Sequence, residues 1–236
     1  MKNESNQRTH WEHEYNVLKG IRMEYSDEIP QCVSLFEEIM EKQSNRRSGK
    51  NVLDIGCGKG RIGIHLAKSG YTVTGMDYVL SALKEFGEIA GFHGLQSRIL
   101  LIEHDLFTSW PLANQSIDSV FAITVLNNFI SPDQLNHFKN ELFRVLKPGG
   151  FLIIEFYVKE DGYYGKLLVN SPDKKHGILI DPNNNMTFKI YSHHEVIELL
   201  KDQFTFIRER THRFESLKYG LTSARTTRII VFRKFY

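Results

Sequence analysis

The sequence predicts an α/β fold: a doubly wound, mostly parallel sheet of seven strands, covered by helices on both faces and finished by an antiparallel C-terminal strand. Three observations carry this. Strand-length apolar runs alternate with helix-length amphipathic runs between residues 51 and 157. The first of those strands runs into a turn with glycine at alternate positions. The last two strands, 204–213 and 225–235, follow one another with no helix between them, which makes an antiparallel pair at one side of the sheet.

Taken in order, residues 10–42 have helical periodicity, with Val17, Leu18 and Ile21 and then Val33, Leu35, Phe36, Ile39 and Met40 at helical spacing. Pro30 falls between the two groups, so two short helices are expected rather than one. A polar linker occupies 43–50. Strands are then expected at 51–55, 71–76, 98–103, 116–124 and 151–157, with helices after the glycine turn to about 68, at 79–90 and at 132–146. Ser131 is placed to cap the last of these, and Lys147-Pro148-Gly149-Gly150 to turn the chain into the fifth strand. Residues 158–191, with glycines, aromatics and three consecutive asparagines, break the alternation and read as an insertion. A helix at 193–201 precedes the closing strands. The expected organisation is one domain over 1–236: a helical cap at 1–50, a cofactor-binding core at 51–157, a substrate-side insertion at 158–191 and a C-terminal helix with antiparallel strands at 192–236.

A chain of 236 residues, 41% hydrophobic and 25% charged, has ordinary globular composition. The net charge of +2 gives no large field for a polyanion, so a nucleic-acid substrate is not expected. Basic residues do thicken near the end, at Arg208, Arg210, Arg213, Arg225, Arg228, Arg233 and Lys234, and are read as a solvated strand edge. Two cysteines, Cys32 and Cys57, do not make a disulfide scaffold. No apolar run reaches membrane-spanning length, and the polar N-terminal stretch has no signal-peptide core. A cytoplasmic protein, monomeric or homodimeric, with no metal and no membrane partner is the expectation.

The most informative segment is Val52-Leu53-Asp54-Ile55-Gly56-Cys57-Gly58-Lys59-Gly60. Glycines here let backbone approach a ligand closely, and the following helix aims its first amides into the crevice at the carboxyl ends of the strands. That suits a nucleotide-like cofactor. A P-loop is excluded, because no Gly-Lys-Ser/Thr follows at the required spacing. Gly58-Lys59-Gly60-Arg61-Ile62-Gly63 does match a dinucleotide pattern, with Asp77 ending the next strand. Against that reading, Asp54 puts a carboxylate inside the strand ahead of the turn. It is costly there unless a cation binds it, and it would repel a pyrophosphate.

Residues 52–60 resemble the first motif of the class I S-adenosylmethionine-dependent methyltransferases, a family with a Rossmann-like sheet. Asp77 resembles the acidic residue that holds the ribose hydroxyls, with Tyr78 beside it. His104-Asp105-Leu106 resembles the adenine-edge motif, and residues 122–129, which include Thr124, the segment lining the methionine end. Arg144 to Gly150 is similar to the family's turn into strand five. The resemblance covers 51–157 and implies S-adenosyl-L-methionine as cofactor, held by Asp54, Gly56, Cys57, Gly58, Gly60, Asp77, Tyr78, Asp105, Leu106 and Thr124. Cys57 is read as a small side chain under the cofactor rather than a nucleophile. Asp77 on its own reads equally well as a helix cap, and Asp105 as an ordinary loop residue.

Methyl transfer from a sulfonium needs alignment more than acid–base chemistry, and no catalytic triad is visible. The expected acceptor is a small molecule. Candidates for chemistry are Tyr157, Tyr191 and His193; Trp11, Tyr15, Asn127, Asn128, Tyr163 and Tyr164 are candidates for contact with the acceptor, with His176 a further neighbour. Asn127 and Asn128 stand where many relatives carry histidines, so histidine-based catalysis is not implied. Competing readings are an RNA, tRNA or protein methyltransferase and a non-catalytic cofactor-binding subunit. The Asn/Asp-Pro-Pro-Tyr/Phe motif of amino-methylating nucleic-acid enzymes is replaced here by Leu126-Asn127-Asn128-Phe129.

Overall fold

The computed structural model describes residues 2–16, 27–42 and 50–236, with the side chains of 2–7 and 16 left aside. Val17, Leu18, Ile21 and nearly all of the expected linker 43–50 lie outside the described residues. The elements are α1 (Lys2–Asn16), α2 (Gln31–Lys42), β1 (Asn51–Ile55), α3 (Arg61–Lys68), β2 (Thr72–Asp77), α4 (Leu80–Phe92), β3 (Ile99–Glu103), β4 (Ile117–Ile123), α5 (Pro132–Val145), β5 (Leu146–Tyr157), α6 (Tyr164–Val169), β6 (Ile178–Asp181), β7 (Met186–Lys189), α7 (His193–Leu200), β8 (Phe204–Lys218) and β9 (Leu221–Lys234).

Seven strands form one sheet in the order β3-β2-β1-β4-β5-β9-β8. β1 to β5 pair in parallel, and β9 runs antiparallel between β5 and β8. Strand order reverses between β1 and β4, which opens a crevice at the carboxyl edge of the sheet. The central strands β1, β4 and β5 are buried on both faces along most of their length, β3 and β8 are edge strands, and alternate residues of the central strands divide between two cores. Val120, Leu152, Ile154 and Ile230 pack on one side with α5 and α7. Phe121, Phe151, Ile153 and Ile229 pack on the other with α2 and α3.

Local signals explain the boundaries. Ser131 caps α5 through a reciprocal box with Gln134, and Ser192 caps α7 with Glu195 in the same way. Pro30 sits at the start of α2, where its carbonyl accepts from Val33 and Ser34. Gly60 precedes α3 at φ +82°, and a Cβ there would run into the Phe86 ring.

The structure sharpens four expectations. α1 starts well before residue 10. β5 begins at Leu146 rather than 151, because Ile117 of β4 already pairs with Leu146; the pairing then shifts register around Gly149, which sits at φ +71°. Residues 158–191 contain ordered structure, the short helix α6 and a β6–β7 hairpin. β8 and β9 extend inward to a two-residue turn at Tyr219-Gly220, both at positive φ.

Candidate functional site

The crevice at the strand ends holds two adjoining cavities. The larger, about 440 Å³, runs from the Gly56–Lys59 turn past Asn127 and Tyr157 to Phe188, Phe214 and Arg225. The smaller, about 140 Å³, lies between Asp77, Tyr78 and Val79 on one side and Asp105, Leu106 and Phe129 on the other. Trp11, Tyr15, Gly56, Ile123 and Thr124 belong to both walls. Helix α1 therefore lies across the mouth, and the end of β4 forms the shared floor. Thr124 takes that place with φ +56°, a conformation a β-branched residue adopts only where surrounding contacts enforce it.

Asp54 is 1% exposed, and one oxygen accepts from the Gly63 amide in the first turn of α3. Its other oxygen, Oδ2, has no partner. Burial, with the Asp77 charge adding, pushes this carboxyl up to about 7 despite the Gly63 bond and nearby Arg61. Such a group requires a cationic or hydrogen-bonding ligand to sit comfortably ionised.

Asp77 organises the turn. Its Oδ2 accepts from the Gly58 amide at 2.9 Å and its Oδ1 from the Val79 amide at 2.9 Å. The N-cap position of α4 is Val79, so the carboxylate braces the loop before the helix rather than capping it. Asp105 is half-buried, and its Oδ1 accepts from the Phe107 amide at 3.0 Å. A Cβ on Gly58, which has φ +51°, would strike the Tyr15 hydroxyl, so α1 closes on the bare backbone of this turn. Cys57 is buried; desolvation holds its thiol well above its usual range, in its inert protonated form.

Of the residues named from the sequence, Asp54, Gly56, Cys57, Gly58, Trp11, Tyr15, Thr124, Asn127, Tyr157 and Tyr164 line the larger cavity. Asp77, Tyr78, Asp105, Leu106 and Asn128 line the smaller. Gly60 lines neither and serves the turn. Asn127 is committed to backbone: Nδ2 donates to the Lys189 carbonyl at 2.7 Å, and Oδ1 accepts from the Tyr157 amide at 2.9 Å.

Four candidates stand apart from the cavities. Tyr191 is buried with its hydroxyl donated to the Phe129 carbonyl, because the Ser192 cap turns the chain away from the crevice at this point. His193 follows that cap and is exposed. His176 is exposed and paired with Asp173. Tyr163 faces the insertion, where its hydroxyl donates to Asp181 Oδ1 at 2.8 Å. Tyr157 stays in the wall, where burial raises its phenol and keeps the hydroxyl protonated.

Several wall residues were not anticipated. Glu14 of α1 is 4% exposed and accepts from Asn184 Nδ2 and the Tyr219 hydroxyl, both at 2.6 Å. This ties α1 to both C-terminal hairpins. Arg225 departs from the solvated-edge reading. It is 3% exposed, with Nε bonded to Asp161 and its guanidinium carbon 4.4 Å from the Tyr157 ring centre. Lys218 lies in the same wall, donating to the Tyr164 hydroxyl at 2.6 Å and to Asp181 at 3.2 Å. Lys234 is also buried, on the Phe143 and Leu146 carbonyls. β9 is an interior strand, so its basic residues cannot all be solvated. The missed signal was the pairing of Asp161 and Asp181 with these cations across the sequence.

The family model for the methyltransferase domain matches residues 52–150. A sterol 24-C-methyltransferase of Gibberella zeae is 27% identical over 143 residues, 60% of this chain and 37% of that enzyme. The cycloartenol-C-24-methyltransferase 1 of Oryza sativa subsp. japonica is 30% identical over 139 residues, 57% of this chain and 38% of its own length. The chain thus spans well under half the length of these curated relatives. A methyltransferase of Methanosarcina mazei superposes with a TM-score of 0.68 at 23% identity, covering 83% of this chain and 97% of that one. The 1,6-didemethyltoxoflavin-N1-methyltransferase of Burkholderia thailandensis superposes with a TM-score of 0.67 at 17% identity, covering 100% of this chain and 90% of that one.

Proposed function

We propose that this chain, whose residues 52–150 match the methyltransferase domain model, is a class I S-adenosylmethionine-dependent methyltransferase that transfers a methyl group to a small-molecule acceptor held in the larger cavity. One observation carries the reading: a buried, half-partnered carboxylate and a two-part cavity meet at the same glycine turn. Asp54 Oδ2 suits the ammonium of the cofactor's methionine end. Asp77 and Tyr78 suit the ribose, and Asp105, Leu106 and Phe107 an adenine in the smaller cavity. The cofactor supplies an electrophilic methyl on a sulfonium with a good leaving group. The protein's part is to keep water out and hold the acceptor atom in line, for which Trp11, Tyr15 and Tyr157 are placed.

A small acceptor is supported by the aromatic side chains that narrow the larger cavity beside the glycine turn, Trp11 and Tyr15 from α1 and Phe188 from the β6–β7 hairpin. The toxoflavin-precursor enzyme, whose structure contains its small acceptor and S-adenosylhomocysteine, superposes along this whole chain. Calorimetry tests the cofactor half of the reading: S-adenosylmethionine and S-adenosylhomocysteine should bind in the micromolar range and NAD far more weakly. Tight NAD binding without S-adenosylmethionine binding would replace this reading with a dehydrogenase one.

A further inference from the structure

The acceptor cavity is electrically lopsided. Arg225 and Lys218 line it, whereas Asp161 and Asp181, the carboxylates that pair with them, do not. Asp161 is 2% exposed and already accepts from the backbone amides of Tyr163, Tyr164 and Thr226 as well as from Arg225 Nε. Its oxygens are thus occupied by four donors, and of the guanidinium it takes up Nε alone. Arg225 Nη1 reaches Ser216 Oγ at 3.3 Å. Nη2 is buried and has no acceptor among the described residues. An unmade hydrogen bond on a buried guanidinium is expensive, and an entering oxygen would remove that cost.

The surroundings restrict what can enter. Tyr157 and Tyr164 stand at 4.4 and 5.1 Å from the guanidinium carbon, so the cation is set among aromatic rings, and a planar oxyanion is the ligand its forked donors match. Phe188, Phe214 and Trp11 add further aromatic wall. The acidic residues of the cavity lie elsewhere or are engaged: Asp54 is at the glycine turn, Glu14 accepts two hydrogen bonds, and Glu215 is exposed.

We infer that Arg225 recognises an anionic oxygen on the methyl acceptor, and that the acceptor is a flat aromatic acid whose carboxylate pairs with the guanidinium while its ring lies against the wall formed by Tyr157, Tyr164 and Phe188. This inference rests on the methyltransferase reading and names its substrate class.

The test uses the full chain saturated with S-adenosylhomocysteine. It measures, by calorimetry and thermal shift, the binding of aromatic carboxylates against their neutral amides, in matched pairs of one and two rings at millimolar concentration. The carboxylates should bind at least about tenfold more tightly than the amides. Arg225→Gln should abolish the preference, weakening the carboxylates by about 10- to 100-fold, the scale of one charge-assisted hydrogen bond. Affinity for S-adenosylhomocysteine should stay within a few-fold, and Arg225→Lys should recover part of the preference. Equal binding of acids and amides by the unaltered protein overturns the inference. So does the absence of binding by every acid, or a preference that survives in Arg225→Gln. The comparison within the unaltered protein stands even where a variant folds poorly. Failure to load S-adenosylhomocysteine in the first step removes the proposed function instead, so the two failures are distinguishable.

Discussion

At the residue scale, Asp54 and Asp77 do different work with the same carboxylate. Asp54 has a folded-state value near 7 against an ordinary 3.8. The folded protein therefore holds this proton more tightly than the unfolded chain, and its ligand-free stability should fall as pH rises from about 4 through about 7. Pairing with the cofactor's ammonium favours the ionised form, so S-adenosylhomocysteine should bind more tightly as pH rises through that window and then level off. Calorimetry across pH should show this, and Asp54→Asn should flatten it; an unaltered protein with pH-independent affinity would contradict the pairing. Asp77 accepts two backbone amides that set the glycine turn. Asp77→Ala should weaken S-adenosylhomocysteine by about 1.5–3 kcal/mol and also lower the melting temperature. A lower melting temperature with unchanged affinity would leave only the bracing role. Asp54 and Asp77 were legible from the sequence because a carboxylate at the end of an apolar strand stands out. Arg225 was not, since nothing local says that a cation in a basic stretch faces inward; only the distant Asp161 does.

At the scale of elements, β1, β4 and β5 were legible because strands buried on both faces leave continuous apolar runs, and α5 because Ser131 announces its start. The β6–β7 hairpin was not. Its buried apolar positions, Leu179, Met186 and Phe188, number too few to show a period, and part of its packing comes from α1, remote in the sequence. The same scale explains how the site is covered. Arg8 ties α1 to Glu103 at 3.1 Å, and Glu14 ties it to Asn184 and Tyr219. Glu14→Ala leaves two donors without their acceptor and should cost about 1–3 kcal/mol of the helix's attachment. Stopped-flow release of S-adenosylhomocysteine should quicken by about tenfold or more, and limited proteolysis should cut α1 earlier. Unchanged release would mean that α1 does not govern access.

For the molecule as a whole, α2 packs on one face of the sheet and contributes no residue to either cavity. Phe36 of α2 is fully buried, with ring centres 5.3 Å from Phe121, 6.1 Å from Phe151 and 5.9 Å from Tyr71. Phe36→Ala should cost about 3–5 kcal/mol, measured as a lower denaturation midpoint at unchanged slope. Cofactor affinity of the folded fraction should stay within a few-fold; a larger loss would mean that α2 also sets the crevice. That crevice has one further property. Trp11 and Tyr15 form the boundary of both compartments, so no ligand can reposition them on one side without altering the other. Any resulting cooperativity is reciprocal: the factor by which bound cofactor changes acceptor affinity is the factor by which bound acceptor changes cofactor affinity, and two aromatic rings on a single helix are enough to transmit it.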